Sequence, residues 1–169
     1  MDFEVPDRIG AVEGWRAWFL VSPRNDPGAR LMSIIYPAFW EPGEETVARC
    51  RKSAIYRHNP VDHEAPDEDC ICGVYALFDQ GRVRRKYGED LGVRPASRFQ
   101  LLYRVIGRVA LWGKVVEGGD GARASRAYPL EFQVPRRIKG LDTLSPREVE
   151  DALGPWGVPV TVLEETWAD

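Results

Sequence analysis

The sequence predicts a β-rich α+β fold, a small mixed-sheet pseudobarrel with one or two short helices. Six or seven short runs are rich in branched and aromatic residues, and most are bounded by turn-forming residues. The regular alternation of strands and helices that indicates a parallel βαβ sheet is absent. With 44% hydrophobic and 29% charged side chains, the 169 residues fit one domain, residues 1–169.

The N-terminal half contains a predicted hairpin followed by irregular chain. GWRAWFLV (14–21) and ARLMSIIY (29–36) flank the turn sequence PRNDPG. Two prolines in the first half of segment 37–50 restrict regular structure to its end, as a short strand or one helical turn. Residues 57–69 are polar, contain two prolines and lack apolar periodicity, which predicts a loop. A loop of this length in a compact domain is usually functional or disordered.

The clearest strand signals follow this loop. CICGVYALF (70–78) is a short apolar run that predicts a buried strand. FQLLYRVIGRVALWGKVVE (99–117) predicts a long strand, which the turn sequence GGDG joins to a return strand over 122–134. VPVTVLEE (158–165) predicts the last strand. Together these runs indicate a small mixed barrel or half-barrel.

Two segments carry helix signals. The basic segment 80–95 can hold a short helix that ends at Gly88 or Gly92. Ser145 and Glu148 form a capping box with Pro146 at the first helical position, so a short helix is expected before Gly154.

The N-terminal sequence MDFEVPDRIG is acidic and has no apolar segment, which argues against a signal or transit peptide. No apolar run approaches the roughly 18 residues that a membrane span requires. We therefore expect a cytoplasmic protein that is neither secreted nor associated with membranes. In that compartment, the three cysteines are expected to be reduced or metal-bound rather than paired in a disulfide.

The net charge of −3 conceals an uneven distribution. Residues 1–80 carry 8 basic and 14 acidic side chains, residues 81–139 carry 14 and 5, and residues 140–169 carry 1 and 7. The middle segment, at +9, can form a face that attracts polyanions, because clustered basic side chains neutralise phosphates and release counterions. The acidic ends can also fold back and pair with this segment, so the sequence leaves both arrangements open.

Arginine and aromatic residues are interleaved through the middle segment, a combination that nucleic-acid-binding proteins use for phosphate contact and base stacking. The candidate phosphate contacts are Arg82, Arg84, Arg85, Lys86, Arg123 and Arg126. The candidate base pocket consists of Trp15, Trp18, Trp40, Trp112 and Tyr128. An ordinary tryptophan-rich core is the alternative, because aromatic residues within strand patterns more often pack inside the protein.

Cys50, His63, Cys70 and Cys72 supply the four ligands of a closed tetrahedral zinc site. Structural zinc would order a polar loop that cannot bury apolar surface. Cys-x-Cys is less usual than Cys-x₂-Cys, and Gly73 can provide the kink that turns both thiols to one side. Substitute ligands are His58 for the histidine, and Asp62, Glu64, Asp67, Glu68 or Asp69 for a cysteine. The alternatives are a set of unrelated reduced cysteines, or cysteines with a redox role.

The same residues offer a nucleophilic dyad of Cys72 and His63. A reactive cysteine needs a lowered pKa, and a neighbouring histidine or another cation can provide it. Five carboxylates between residues 62 and 69 act in the opposite direction, because negative charge raises a thiol pKa. The sequence therefore favours a metal site or ordinary cysteines over catalysis.

Four motifs resemble a set that occurs together in uncharacterised bacterial proteins. They are GWRAW from residue 14, CxCGxYA from residue 70, VALWGxVxE from residue 109 and RAxxAYP from residue 123. This resemblance covers much of the chain but implies no mechanism.

More distantly, the order of elements is similar to the PUA-like superfamily, in particular its ASCH and EVE branches. LMS (31–33), GVYAL (73–77) and GRVALWGKVVE (107–117) stand in the places of its characteristic strands. The resemblance implies a pseudobarrel that binds RNA or modified bases in a cleft. The cysteine cluster and the basic segment after Phe78 depart from the ASCH pattern, and a catalytic set is not evident. A hydrolase activity is therefore not implied.

The leading hypothesis is a nucleic-acid-binding module that reads a modified or single-stranded base in a cleft. The alternative is a zinc-stabilised protein-interaction module, such as an adaptor or inhibitor, whose partner is a protein. A hydrolase of small amides or nucleosides ranks third, so a non-enzymatic role is favoured over an enzyme. A contiguous arginine face would favour nucleic acid, whereas internal neutralisation of the arginines would favour the interaction module.

Overall fold

The structure is a computed structural model that describes residues 10–26, 28–34, 38–50, 63–88 and 93–168. Within these residues, eight strands belong to one sheet. The strands are β1 (Val12–Pro23), β2 (Arg30–Ser33), β3 (Phe39–Trp40), β4 (Thr46–Val47), β5 (Val74–Leu77), β6 (Phe99–Glu117), β7 (Gly121–Ile138) and β8 (Val160–Trp167). The helices are α1 (Gln80–Val83), which continues as a π-helical turn over Arg84–Gly88, and α2 (Pro146–Leu153), which is followed by a 3₁₀ turn over Gly154–Trp156.

Four strands form a partly closed ring. β1 pairs with β6, β6 with β7, β7 with β5, and β5 returns to β1 where Leu77 pairs with Trp15. These contacts are antiparallel, whereas β8 runs parallel to β7. The remaining strands extend the ring, since β2 pairs with β1, β3 with β2 and β4 with β7. The predicted α+β, mixed-sheet pseudobarrel is confirmed.

The long hairpin of β6 and β7 is the largest unit of the sheet. Its turn is closed by a hydrogen bond of 2.8 Å from the Gly118 N–H to the Gly121 carbonyl. The return strand continues beyond the predicted residue 134 to Ile138, because β8 pairs with it from Phe132 onward. Pro135 lacks an N–H, and it lies where the register between these two strands shifts.

The two short helices that the sequence predicts are present. In α2 the capping box has formed: the Glu148 N–H donates to Ser145 Oγ, and the Ser145 N–H donates to the Glu148 carboxylate. The helix buries Val149 and Leu153 against the core. None of the helices in the described ranges is long and apolar enough to cross a membrane.

Aromatic side chains fill the centre of the core. Trp18 is fully buried and makes edge-to-face contacts with Trp40 (5.3 Å between centroids) and Phe132 (5.5 Å). Phe132 in turn contacts Trp156 at 6.0 Å. These four rings come from β1, β3, β7 and the 3₁₀ turn, so the core joins the first strand of the sheet to the turn after α2.

A glycine is required at position 107, where β6 pairs with β7. A Cβ atom at this position would overlap the backbone carbonyl of Glu131 and lie 3.1 Å from the Trp18 ring. We expect Gly107→Ala to lower the free energy of unfolding by about 3 kcal/mol, because neither neighbour can move without disturbing the sheet. Urea denaturation of the purified protein measures this loss.

Gly119→Ala is the matched control. Gly119 lies in the turn of the same hairpin, and a Cβ atom there would have no neighbour within 4 Å. We expect a change below about 1 kcal/mol. Equal losses in the two variants would contradict the close approach at Gly107.

Candidate metal centre

Cys50, His63, Cys70 and Cys72 come together from three parts of the connection between β4 and β5. Cys50 follows β4, His63 lies in the loop before β5, and the other two cysteines immediately precede β5. Their ligand atoms all lie within 4.8 Å of one another. All three cysteines are thiols rather than halves of a disulfide. The four residues that the sequence selected as metal ligands therefore form one cluster.

The backbone of β7 explains how these segments meet. β6 occupies one edge of β7, so β4 and β5 both lie along the opposite edge. β4 ends beside Arg126, and Ala48 continues the contact by donating to the Ser125 carbonyl at 2.8 Å. β5 begins beside Ala124. The end of β4 and the start of β5 are thus adjacent, although 26 residues separate Val47 and Val74 in the sequence.

Two of the distances within the cluster are those of a tetrahedral zinc site. Cys50 Sγ lies 3.7 Å from Cys70 Sγ, and Cys72 Sγ lies 3.4 Å from His63 Nε2. With Zn–S near 2.3 Å and Zn–N near 2.0 Å, tetrahedral angles require about 3.8 Å between sulfurs and about 3.5 Å between sulfur and nitrogen. The cluster is therefore compatible with zinc.

Gly73 turns the Cys-x-Cys segment toward the cluster. Its φ is +125°, a backbone conformation that side chains other than glycine rarely adopt. Because β5 begins only at Val74, the two cysteines precede the strand and do not follow its alternation. Ile71, between them, is 70% exposed, so it points away from the ligands.

Arg123 holds residues 67–72, the part of the loop that carries the ligands Cys70 and Cys72. Its Nη1 donates to the carbonyls of Asp67 and Cys72, each at 2.8 Å, and its Nη2 donates to the Glu68 carbonyl at 3.5 Å. The loop also closes on itself, since the Cys70 N–H donates to the Asp67 carbonyl at 3.1 Å. Arg123 was a predicted phosphate contact. Nothing in the sequence signals its role here, because it lies on a strand about fifty residues away.

The pKa values of the Cys70 and Cys72 thiols are shifted in opposite directions. Burial opposes ionisation of Cys70, but hydrogen bonds from the Cys72 N–H and from the side chains of Cys72, Cys50 and His63 outweigh it and lower its pKa to about 7. Burial raises the pKa of Cys72. The Cys72–His63 pair has the spacing of a dyad but not the lowered thiol pKa that a nucleophile requires.

None of the substitute metal ligands that the sequence offers is found in the cluster as described. Glu64, Glu68 and Asp69 are exposed, and the metal-competent group among the described residues comprises the three cysteines and His63. His58 and Asp62 lie outside the described residues. Asp67 is half-buried and accepts from the Asp69 N–H at 3.0 Å, so none of the described carboxylates of this loop belongs to the metal-competent group.

Most of the predicted phosphate contacts are engaged within the protein. Arg82 pairs with Asp120 (2.8 Å), Arg84 with Glu165, Arg126 with Glu45 (2.5 Å), Arg85 lies 4.0 Å from Asp79, and Lys86 Nζ lies 5.2 Å from the Tyr87 ring centroid. Glu45 and Asp79 belong to the acidic N-terminal segment and Glu165 to the acidic C-terminal one. Arg84, Arg85 and Arg126 therefore pair with the acidic segments, whereas Arg82 pairs within the basic middle segment.

The five predicted base-pocket residues differ in how far their side chains are exposed to solvent. Trp18 and Trp40 are buried in edge-to-face contact. Tyr128 is buried, and its hydroxyl donates to the Trp156 carbonyl and accepts from the Gly43 N–H. Trp15 and Trp112 are half-buried at the edge of the core. A base-stacking role for these five side chains stays a prediction.

Comparison with known proteins gave no match: no family model, curated protein or solved structure is significantly similar to this chain. The functional argument therefore rests on the geometry described above.

We expect Arg123→Ala to destabilise the loop around Cys70. The substitution removes charged hydrogen bonds to three backbone carbonyls, which corresponds to about 2 kcal/mol of unfolding free energy. Arg126→Ala on the same strand is the control, since it removes only a surface ion pair with Glu45 that is worth at most about 1 kcal/mol. Urea denaturation in excess chelator compares the variants without metal. Equal stability of the two variants would contradict the anchoring role.

Proposed function

We propose that this protein is a zinc-stabilised protein-interaction module in which Cys50, His63, Cys70 and Cys72 hold one structural Zn²⁺. The observation that carries the proposal is the convergence of three thiols and one imidazole within 4.8 Å of one another, with two of their pairs at tetrahedral spacing.

Four protein ligands fill the coordination sphere of zinc. Catalytic zinc sites typically keep one position open for water or substrate, whereas structural sites are closed. A closed site stabilises the fold, because ligands that meet only in the folded chain return the binding free energy as stability. This favours a structural role for the metal, and with it a binding module rather than a metalloenzyme.

The surface beside the cluster supports an interaction role. Ile71, between two ligands, is 70% exposed, and Tyr75 is 48% exposed with its hydroxyl donating to the Ile71 carbonyl at 2.5 Å. Exposed Glu64, Glu68 and Asp69 lie on the same loop. An apolar contact flanked by carboxylates fits a protein partner whose apolar contact is flanked by Lys and Arg.

The internal pairing of the arginines favours a protein partner over nucleic acid. Phosphate binding by Arg82, Arg84 or Arg126 would first require separation from Asp120, Glu165 or Glu45. The reading of a modified or single-stranded base, and the PUA-like resemblance that implies it, stay predictions.

We expect the purified protein to contain about one zinc per chain by elemental analysis. A strong chelator should lower its melting temperature, because it removes a ligand that binds only the folded state. Cys70→Ser and Cys72→Ser should each reduce both the zinc content and the melting temperature.

His58→Ala is the matched control for His63→Ala, since these are the two histidines of the chain. Loss of zinc in the His63 variant but not in the His58 variant is the expected result. Protein that is metal-free as purified, and whose melting temperature does not respond to added zinc or to chelator, would overturn the proposal.

A photo-crosslinking residue at position 71 should capture a protein partner in the native cells, and chelation of zinc should abolish the capture. Position 93 is the control, because Val93 is also exposed, at 45%, but lies far from the cluster in the sequence. Capture should be lost when Glu64, Glu68 and Asp69 are changed to Lys, since these residues supply the charge complementarity.

Two results would contradict a protein partner. One is equal capture at positions 71 and 93, and the other is saturable binding of a single-stranded oligonucleotide in a fluorescence anisotropy titration at about 50 mM salt. The second result would favour the nucleic-acid hypothesis.

A further inference from the structure

Two of the three thiols in the cluster form a close pair between the end of β4 and the start of β5. Cys50 Sγ lies 3.7 Å from Cys70 Sγ, although 20 positions separate the two cysteines in the chain. Both residues are thiols rather than halves of a disulfide. The sulfurs of a disulfide lie about 2.0 Å apart, so this pair would have to close by about 1.7 Å. The two side chains are therefore near the geometry of a disulfide.

The sheet keeps this pair together without help from a metal. Ala48 donates to the Ser125 carbonyl of β7 at 2.8 Å, which fixes the chain two residues before Cys50. Cys70 precedes β5, which begins beside Ala124 of the same strand. Both anchors are backbone contacts to β7. Loss of a metal therefore leaves the two thiols close to each other.

Cys72 is placed differently from this pair. Its Sγ lies 3.4 Å from His63 Nε2, and its carbonyl accepts from Arg123 Nη1 at 2.8 Å. A disulfide between Cys70 and Cys72 would have to close across one intervening residue, which strains the disulfide dihedral angle. Cys50 is therefore the favoured disulfide partner of Cys70.

The two thiols of the pair differ in their access to solvent. Cys50 is partly exposed, whereas Cys70 is 6% exposed. Redox-sensitive pairs combine an accessible thiolate that reacts first with a second thiol that resolves the product. Zinc ligation keeps both side chains as thiolates, which are the reactive form. A small oxidant in solution therefore meets Cys50 first, and Cys70 lies in position to resolve the product.

We propose that Cys50 and Cys70 form a reversible disulfide when hydrogen peroxide oxidises the cluster. The Cys50 thiolate attacks one peroxide oxygen, so that an S–O bond forms, the O–O bond breaks and the second oxygen leaves as water after taking up a proton. The Cys70 thiolate then attacks the sulfenic sulfur, so that the S–S bond forms, the S–O bond breaks and hydroxide leaves. The two cysteines lose two electrons, and the peroxide gains them.

The consequence for zinc rests on the proposed function. The disulfide removes two of the four ligands and leaves Cys72 and His63, which are too few for a closed structural site. Oxidation therefore releases the metal. Because the partner contact at Ile71 is expected to require zinc, oxidation also ends partner binding. A dithiol reduces the disulfide, restores both thiols and allows zinc to bind again.

Treatment of the zinc-loaded protein with hydrogen peroxide tests this inference. Zinc release is followed with a colorimetric chelator, the thiols are titrated, and the disulfide is located by peptide mapping with mass spectrometry. We expect one zinc to be released for every two thiols lost, a link between Cys50 and Cys70, and one remaining thiol at Cys72. Dithiothreitol with added zinc should restore all three thiols and the zinc content.

Two variants studied without metal identify the pair independently of zinc. Cys72→Ser should form the intramolecular disulfide as completely as the unchanged protein, whereas Cys50→Ser should form at least tenfold less. The unchanged protein provides a second measurement for the case in which a variant does not fold. In chelator, its oxidised form should melt at a higher temperature than its reduced form, because the disulfide links residues 20 positions apart.

The outcomes separate this inference from the zinc proposal. A link between Cys70 and Cys72, sulfinic acid in place of a disulfide, or equal disulfide yields in the two variants would contradict the inference. Zinc-loaded protein whose thiols survive peroxide would also contradict it and would leave the zinc proposal intact. Protein that binds no zinc but still forms the link between Cys50 and Cys70 would contradict the zinc proposal and support the disulfide.

Discussion

The edge of β7 that faces away from β6 is the part of the backbone on which the rest of the structure depends. β5, β4 and β8 all pair with this edge, in that order along the strand. Small residues allow the close approach: Ala122, Ala124 and Ala127 are buried, and a Cβ atom on Gly121 would overlap the Ala76 carbonyl. One strand thereby aligns segments that are distant in sequence.

The candidate metal centre is a direct consequence of this alignment. Antiparallel pairing carries the chain past Arg126 and Ser125 toward Cys50, and the chain returns through Cys72 to begin β5 beside Ala124. Few apolar side chains of the described loop residues reach the core, so a metal would supply the ordering free energy that burial does not. The proposed zinc would also join β4 and β5, two strands that already share β7 as a neighbour.

Arginine has three different structural roles in this molecule, and net charge distinguishes none of them. Arg84 and Arg126 pair with carboxylates from the acidic segments. Arg123 donates to backbone carbonyls around the cluster. Arg16 connects two strands while it lies against tryptophan rings. Local geometry, rather than the segment charge of +9, therefore determines what each of these cations contacts.

The sequence by itself determined the β-rich class, the long hairpin and the capped helix α2, because branched residues, the GGDG turn and the Ser145–Glu148 box act over a few residues. It also identified the four candidate metal ligands, because cysteine and histidine can be recognised as zinc ligands from residue type alone. Only the tertiary structure decided that these side chains meet, that Arg123 supports them and that Arg16 connects β2 and β5. These outcomes depend on pairing between strands that are far apart in the chain. The residue pattern of a short sequence segment carries no information about which distant segment pairs with it.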